Sequence, residues 1–202
     1  MCGIVGLFIK RPEMEADLGA HLATMLATMG DRGPDSAGFA VYGADTGDVR
    51  LTVRAPRGTD FAALAASLDV TAVARDTHAV LHVPTDRLDT VRSRLLTLAP
   101  TVTLVGEGQR MELYKEVGAP EDVMRRFGLS SMAGTHGIGH TRMATESAVT
   151  IDGAHPYTTG ADQCLVHNGS LSNHNEWRRT LTRAGMMFQT ENDTEVAAAY
   201  LS

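Results

Sequence analysis

The chain has 202 residues, enough for one well-packed hydrophobic core, and its 43% hydrophobic and 21% charged residues are ordinary for a globular protein. A formal net charge of -6 disfavours a nucleic-acid-binding surface, because binding phosphates requires a basic face. Two cysteines are too few for an iron–sulfur cluster or a four-thiolate zinc site, and no stretch is long enough to span a membrane. We therefore expect a cytoplasmic protein with no nucleic-acid or membrane partner.

Hydrophobic periodicity and turn residues predict strands and helices that follow one another along the whole chain. The elements predicted in the first part are a buried strand at 4–9, a helix at 13–29, a polar turn at 31–38, and a strand at 39–42 that a hairpin-like turn at 44–48 joins to another strand. Those predicted in the middle are helices at 60–68, 85–98 and 120–127, and strands at 79–83, 102–105 and 111–117. The last part predicts a helix after residue 173 and a second helix that the polar run 190–195 enters.

The middle of the chain, residues 53–132, differs from the two ends because it carries no cluster of catalytic residue types. Its interleaved helices and strands predict a small inserted α/β subdomain, for which a ferredoxin-like arrangement is the candidate. Two histidines, His78 and His82, lie in or beside one predicted strand. We expect both to be structural.

The cysteine in second place has a chemical consequence. Methionine aminopeptidase readily removes Met1 when the next side chain is small, and removal leaves Cys2 with a free α-amino group close to its thiol. An amine that takes the thiol proton activates the nucleophile without a histidine. On these residues alone, the alternative is a first strand in which Cys2 is a small buried hydrophobic side chain.

Six short motifs, taken together and in this order, resemble the class II glutamine amidotransferase domain. They are Cys-Gly-Ile-Val-Gly at 2–6, Arg-Gly-Pro-Asp-Ser-Ala-Gly at 32–38, Gly-His-Thr-Arg-Met-Ala-Thr at 139–145, His-Pro at 155–156, His-Asn-Gly at 167–169 and Asn-Asp-Thr-Glu at 192–195. The resemblance implies an α+β fold, the four-layer αββα sandwich of antiparallel sheets found in N-terminal-nucleophile hydrolases. It assigns 1–52 and 133–202 to the amidotransferase domain and leaves 53–132 as the insert.

The resemblance also implies a catalytic set. Cys2 would attack the side-chain amide of L-glutamine, and the Asn168 side chain with the Gly169 backbone N–H would donate to the resulting oxyanion. An Asn-Gly pair is also typical of a hairpin turn, which is the alternative for these two residues. Arg32 and Gly33 are expected to support the strand that carries the nucleophile.

Four further residues match family positions that bind the substrate. Arg142 is expected to hold the α-carboxylate through a bidentate fork, with the Thr145 hydroxyl beside it. Asp193 is expected to pair with the α-ammonium, although the same residue also suits a helix start. His167 is assigned to the same pocket.

A zinc site is an alternative to consider, because five histidines fall between positions 136 and 174. His136 and His140 are four residues apart, a spacing that suits one ion on a helix, but Gly137 and Gly139 argue against a helix. On a strand the two residues would be about 13 Å apart, too far to share one ion. We expect neither a metal nor another cofactor.

The function that the resemblance implies is a glutaminase that hydrolyses L-glutamine and delivers ammonia to a synthase partner. The family's glucosamine-phosphate synthase branch has tryptophan and histidine around the Ala-Thr pair, where this chain has Met143 and Glu146. The residues within the motifs are more similar to those of stand-alone amidotransferase subunits that accompany glutamate-synthase-like proteins, including N-methylglutamate synthase.

Three alternatives stay open beside this function. They are a catalytically silent scaffold subunit, the glutaminase domain of another amidotransferase such as a glucosamine-phosphate synthase, and a hydrolase of the same fold that acts on another amide. Intact catalytic positions argue against the first, and the paired Arg142 and Asp193 favour a free amino acid over the third. Family domains continue beyond the last helix, so we expect the chain to be part of a longer polypeptide.

Overall fold

The structure is a computed structural model that describes residues 2–144, 149–158 and 160–201. In these ranges the strands are β1 Gly3–Phe8, β2 Ser36–Tyr42, β3 Asp48–Arg54, β4 Thr71–Arg75, β5 His78–Pro84, β6 Thr103–Gly108, β7 Met111–Val117 and β8 His136–Arg142. They form two four-stranded sheets, a first sheet with the order β1-β8-β2-β7 and a second sheet with the order β4-β5-β3-β6. Every strand pair in both sheets is antiparallel.

Six α-helices accompany the sheets in the described ranges. They are α1 Leu18–Ala27, α2 Phe61–Leu68, α3 Leu88–Leu98, α4 Pro120–Phe127, α5 His174–Arg183 and α6 Asp193–Leu201. Short 3-10 turns at Pro12–Asp17 and Thr85–Arg87 lead into α1 and α3 and account for the first residues of the predicted helices there. None of the helices in the described part of the chain is both long and apolar enough to cross a membrane.

The first sheet is covered on one face by α1 and α4. Leu18, Leu22 and Leu26 lie four residues apart on α1, so they share one face of the helix, and all three are fully buried. They pack in one core with Phe39 of β2 and Phe127 of α4. Each such buried side chain contributes about 1.5–3 kcal/mol through the hydrophobic effect.

The alternation of side chains along β8 gives the first sheet a second, different face. Gly139 faces α1, where an added Cβ atom would stand 2.8 Å from the Leu26 side chain. His140 and Arg142 lie on the opposite face of the strand, and both are polar and buried. This polar face positions the candidate site.

The second sheet has its own hydrophobic core under α2 and α3. Leu51 of β3 and Leu81 of β5 pack with Phe61 and Leu68 of α2 and Val91 of α3. The Asp60 side chain caps α2 by accepting from the Ala63 N–H at 2.9 Å.

The two sheets meet where β6 is followed by β7. β6 pairs with β3 in the second sheet, whereas β7 pairs with β2 in the first. Only residues 109–110 separate them, and Asp162 holds this turn by accepting the backbone N–H groups of Gln109, Arg110 and Met111, each at 2.9 Å.

The strand pairing places the segment 53–132 in both sheets. Residue 53, the predicted start of the insert, lies inside β3. Within the same segment, β7 pairs in the first sheet and α4 packs in the core of that sheet. The boundaries predicted at residues 53 and 132 therefore do not coincide with the boundary between the sheets. The strands of the second sheet and the two helices on it occupy the narrower range 48–108.

Candidate active site

A cleft of about 530 Å³ opens at the end of the first sheet. Its lining brings together six residues that the sequence nominates: Cys2, Arg142, His167, Asn168, Gly169 and Asp193. Thr145, the hydroxyl expected beside the arginine, lies outside the described residues, as does Glu146. Arg32 and Gly33 do not line the cleft.

Cys2 stands immediately before β1, and its position follows from the pairing of that strand. Gly3 lies opposite Thr141 of β8, so Cys2 is placed beside Arg142 at the end of the sheet. A Cβ atom on Gly3 would be 2.7 Å from Met29 Cβ, which requires glycine at this close approach. Cys2 is partly exposed and forms no disulfide.

Asn168 and Gly169 lie next to the cysteine. Asn168 Nδ2 donates to the backbone carbonyl oxygen of Cys2 at 3.1 Å, which uses one of its two N–H groups. A Cβ atom on Gly169 would stand 2.9 Å from His167 Nε2, so a larger residue here would require the histidine ring to shift. The two residues belong to a loop that leads to α5, and they do not join two paired strands.

The turn at 32–38 supports Arg142. The Asp35 N–H donates to the Arg142 carbonyl oxygen at 3.1 Å, and Asp35 Oδ2 accepts from the Ala144 N–H at 2.7 Å. A Cβ atom on Gly33 would be 2.6 Å from the Arg142 backbone nitrogen, so the turn is pressed against β8. The Arg32 side chain is exposed. Gly33 thus contacts the strand of the arginine, which is the neighbour of the nucleophile's strand.

Asp193 begins α6, yet its carboxylate points into the cleft. Its Oδ2 accepts the Leu171 N–H at 2.7 Å, and its Oδ1 lies 3.9 Å from His167 Nδ1. The helix is capped by Asn192, whose Oδ1 accepts the Thr194 N–H at 2.9 Å. Because Asn192 supplies the cap, the Asp193 carboxylate is available to the cleft.

A layer of buried histidines lies under the cleft. The rings of His140 and His155 are stacked with centroids 4.1 Å apart, and His140 Nε2 donates to the His167 carbonyl oxygen at 3.1 Å. Burial lowers the pKa of His140 to about 4, and burial lowers the pKa of His155 further. Both rings are therefore neutral at neutral pH and stiffen the floor of the cleft.

The segment that carries His155 is held from below by Lys115. Lys115 Nζ donates to the Ala154 carbonyl oxygen at 3.0 Å and lies 4.7 Å from the centre of the Tyr157 ring. Burial lowers the pKa of this lysine to about 8. A Cβ atom on Gly38 would be 2.1 Å from the His155 carbonyl oxygen, so the segment rests directly on β2.

Sequence reasoning gave no role to Asp35, His155 or Thr194, although each lies inside a quoted motif. His155 Nε2 is 2.9 Å from Thr194 Oγ1. The motifs contain these three residues, but the sequence does not show which side chains they contact, because their partners are distant in the chain.

The structure assigns His136 and His78 to packing. His136 stacks on Tyr42 with ring centroids 4.1 Å apart, and His78 packs edge-on against Phe127 at 4.7 Å. Burial lowers the pKa of His78 to about 3. Across residues 2–144, 149–158 and 160–201, no group of three or more histidine, cysteine or acidic side chains is arranged to hold a metal ion.

Comparison with known proteins finds similarity to glutamine amidotransferases. A family model described as "Glutamine amidotransferase domain" matches residues 128–202. The glutamine amidotransferase-like protein GlxB of Rhizobium meliloti (strain 1021) is 56% identical over 209 residues, covering 100% of this chain and 69% of that protein. A putative glutamine amidotransferase of Methanothermobacter thermautotrophicus is 30% identical over 220 residues, covering 100% of this chain and 72% of that protein.

The fold also resembles that of a solved structure. The allosteric regulatory enzyme of purine biosynthesis aligns with a TM-score of 0.50 and 19% identity, over 98% of this chain and 28% of that one. At this identity the likeness concerns the fold alone. The predicted architecture of two antiparallel sheets with helices is confirmed by this match and by the strand pairing.

Proposed function

The chain belongs to the class II glutamine amidotransferase family, and on this premise we propose that it hydrolyses L-glutamine through Cys2 and delivers the ammonia to a synthase partner. The observation that carries the proposal is that Cys2, the amide donor Asn168, Arg142 and Asp193 line the same cleft. This set matches the three polar groups of glutamine.

The two charged residues suit the amino-acid end of the substrate. Arg142 offers a planar guanidinium that can donate two parallel hydrogen bonds to the α-carboxylate, and Asp193 offers a carboxylate for the α-ammonium. Thr145 follows Arg142 closely in the chain and is proposed as a further donor to the carboxylate. With that end bound, the side-chain amide extends toward Cys2.

The proposed chemistry has two steps. The Cys2 sulfur attacks the amide carbon, its proton passes through the α-amine of the same residue to the leaving nitrogen, and the C–N bond breaks to release ammonia. Water then cleaves the glutamyl thioester to give glutamate and the free thiol. In both steps the second N–H of Asn168 and the N–H of Gly169 are the proposed donors to the oxyanion.

The ammonia acceptor is proposed to lie on a partner. The residues within the motifs are more similar to those of amidotransferase subunits that accompany glutamate-synthase-like proteins or N-methylglutamate synthase, and this similarity favours such a partner. Ammonia released into water is mostly protonated and no longer nucleophilic. We therefore expect an occupied partner to raise kcat/KM for glutamine by roughly tenfold or more, a coupling of about 1.4 kcal/mol.

The test is glutamine hydrolysis combined with labelling by 6-diazo-5-oxo-L-norleucine. We expect the reagent to add to Cys2 in protein that has lost Met1, and Cys2→Ala to abolish both hydrolysis and labelling. Cys164→Ala is the matched control, since Cys164 Sγ lies 3.3 Å from the Tyr42 hydroxyl and outside the cleft. Labelling of Cys164, or hydrolysis by protein that retains Met1, would contradict the proposal.

A further inference from the structure

One buried hydroxyl connects three polar groups of the cleft. Thr194 is 1% exposed. Its Oγ1 lies 2.9 Å from His155 Nε2, 3.4 Å from Asp193 Oδ1 and 3.5 Å from His167 Nδ1. Since a hydroxyl has a single proton, the three contacts cannot be independent.

The proton on this hydroxyl has three possible acceptors, of which the His155 and His167 ring nitrogens can instead carry protons of their own, whereas the Asp193 carboxylate oxygen only accepts. If Thr194 donated to His155, its lone pairs would face the Asp193 carboxylate oxygen, which only accepts. If Thr194 donates to Asp193 Oδ1, His155 must carry its proton on Nε2 and donate to Thr194. His155 is neutral in both arrangements, because burial lowers its pKa, and they differ only in which ring nitrogen carries the proton. The second arrangement leaves His155 Nδ1 as the bare nitrogen, and that buried atom has no hydrogen-bond partner among the described residues.

The Asp193 carboxylate is then oriented by one neutral donor on each oxygen. The Leu171 N–H holds Oδ2 at 2.7 Å, and the Thr194 hydroxyl approaches Oδ1 at 3.4 Å. Neither donor carries a charge, so the carboxylate keeps its attraction for a cation. The donors restrict its rotation, and that restriction is what a directional ion pair requires.

We propose that Thr194 is the positioning residue that orients Asp193 toward the α-ammonium and thereby sets the preference for L-glutamine over amides that lack this group. The inference rests on the proposed function, in which Asp193 pairs with the α-ammonium. It adds a hydrogen-bond link that starts at His155, a residue that also lines the cleft. The link also reaches His167, whose ring lies against Gly169.

The test compares the binding of two ligands by calorimetry. The ligands are L-glutamine and 5-amino-5-oxopentanoate, which is the same molecule without the α-amino group. Both are titrated into Cys2→Ala protein, which prevents turnover, alone and combined with Thr194→Val, Thr194→Ser or Thr52→Val. Thr194→Val removes the hydroxyl at nearly constant volume, Thr194→Ser keeps it, and Thr52 is a fully buried threonine of the second sheet that serves as the control.

We expect Thr194→Val to weaken L-glutamine binding by roughly tenfold, the usual scale for a hydrogen bond to a charged group, and to change the deamino ligand by less than about twofold. Thr194→Ser and Thr52→Val should leave the ratio of the two affinities near its starting value. Equal weakening of both ligands by Thr194→Val would overturn the proposal, as would a serine variant that is as poor as the valine variant. Should Thr194→Val fail to fold, Thr194→Ala gives the same comparison.

Hydrolysis by the unaltered protein separates this inference from the proposed function. If glutamine is hydrolysed but the affinity ratio does not change, Thr194 does not position Asp193 and the function stands. A protein that shows the expected change in ratio but no hydrolysis would retain the positioning role and lose the proposed chemistry. If Cys2→Ala protein binds no glutamine, both are overturned.

Discussion

The two sheets have four strands each, yet they bury different kinds of side chain. The first sheet carries His140, Arg142 and Lys115 on the face that meets the cleft, and all three are at most 9% exposed. The second sheet fills its core with side chains such as Leu51 and Leu81, both fully buried. Burying polar groups costs stability unless they are paired, and His140 and Lys115 are paired with the backbone carbonyl oxygens of His167 and Ala154.

The buried polar groups of the second sheet serve a different purpose. Arg50 donates to the carbonyl oxygens of Gln109 and Ala44, each at 2.7 Å, and the Thr52 hydroxyl accepts the Leu113 N–H at 3.3 Å. These contacts tie backbone segments together and face no cleft. Polar burial in the first sheet thus points to function, whereas in the second sheet it joins the two sheets.

The largest effect should come from Asn168→Ala, which removes a proposed oxyanion donor. We expect kcat for glutamine to fall by about 10²-fold or more with little change in KM, because the bond forms only in the transition state. Asn173, exposed before α5 and without a side-chain capping bond, provides a matched control as Asn173→Ala. A change confined to KM would reduce Asn168 to ordinary substrate binding.

Arg142→Lys keeps the charge at the end of the first sheet but loses the planar fork. We expect kcat/KM for glutamine to fall by roughly tenfold, the scale of one lost charge-assisted hydrogen bond. Arg87→Lys is the control in the other half of the molecule, where Arg87 pairs with Asp69 at 3.0 Å far from the cleft. If Arg142→Lys has the same kcat/KM as the unaltered protein, Arg142 does not bind the α-carboxylate of glutamine.

Acid should destabilise both regions through their buried histidines. The folded-state pKa is about 4 for His140 and about 3 for His78, below the usual value of 6.5, so the unfolded chain binds more protons as pH falls between these values. The free energy of unfolding should therefore fall as pH is lowered from about 6.5 toward 4, by up to about 1.4 kcal/mol per pH unit for each histidine. Denaturant titrations at several pH values measure this, with His78→Gln isolating the contribution of that histidine. Stability that is constant over this window would contradict the buried neutral state.

The smallest effect is expected on the outer surface of the second sheet. Leu96 of α3 is 76% exposed, so Leu96→Gln should change basal glutamine hydrolysis by less than about twofold, as is usual for surface substitutions. The measurement is the same hydrolysis assay without a partner. If Leu96→Gln instead lowers basal activity severalfold, the second sheet contributes to the cleft in a way that its hydrophobic core does not indicate.

Much of the local structure was determined by the sequence alone. Periodicity located α2 and α4 nearly to the residue, because each buries a regular set of apolar side chains, and the predicted extended segment 111–117 coincides with β7. β4 was missed, since its residues are mostly exposed or only half-buried and carry little periodic signal. Motif resemblance nominated Cys2 and Asn168, which the folded chain brings within one hydrogen bond of each other.

Tertiary structure decided the rest, because strand periodicity identifies a strand without identifying its neighbour. β6 and β7 follow each other closely in the chain yet join different sheets, and only their pairing with β3 and β2 shows that 53–132 belongs to both. Hydrogen-bond partners are equally long-range: the Thr194 hydroxyl meets His155, which is 39 residues away in the chain. The sequence by itself therefore determined which residue types are available to the cleft, and the packing of the two sheets determined which of them touch.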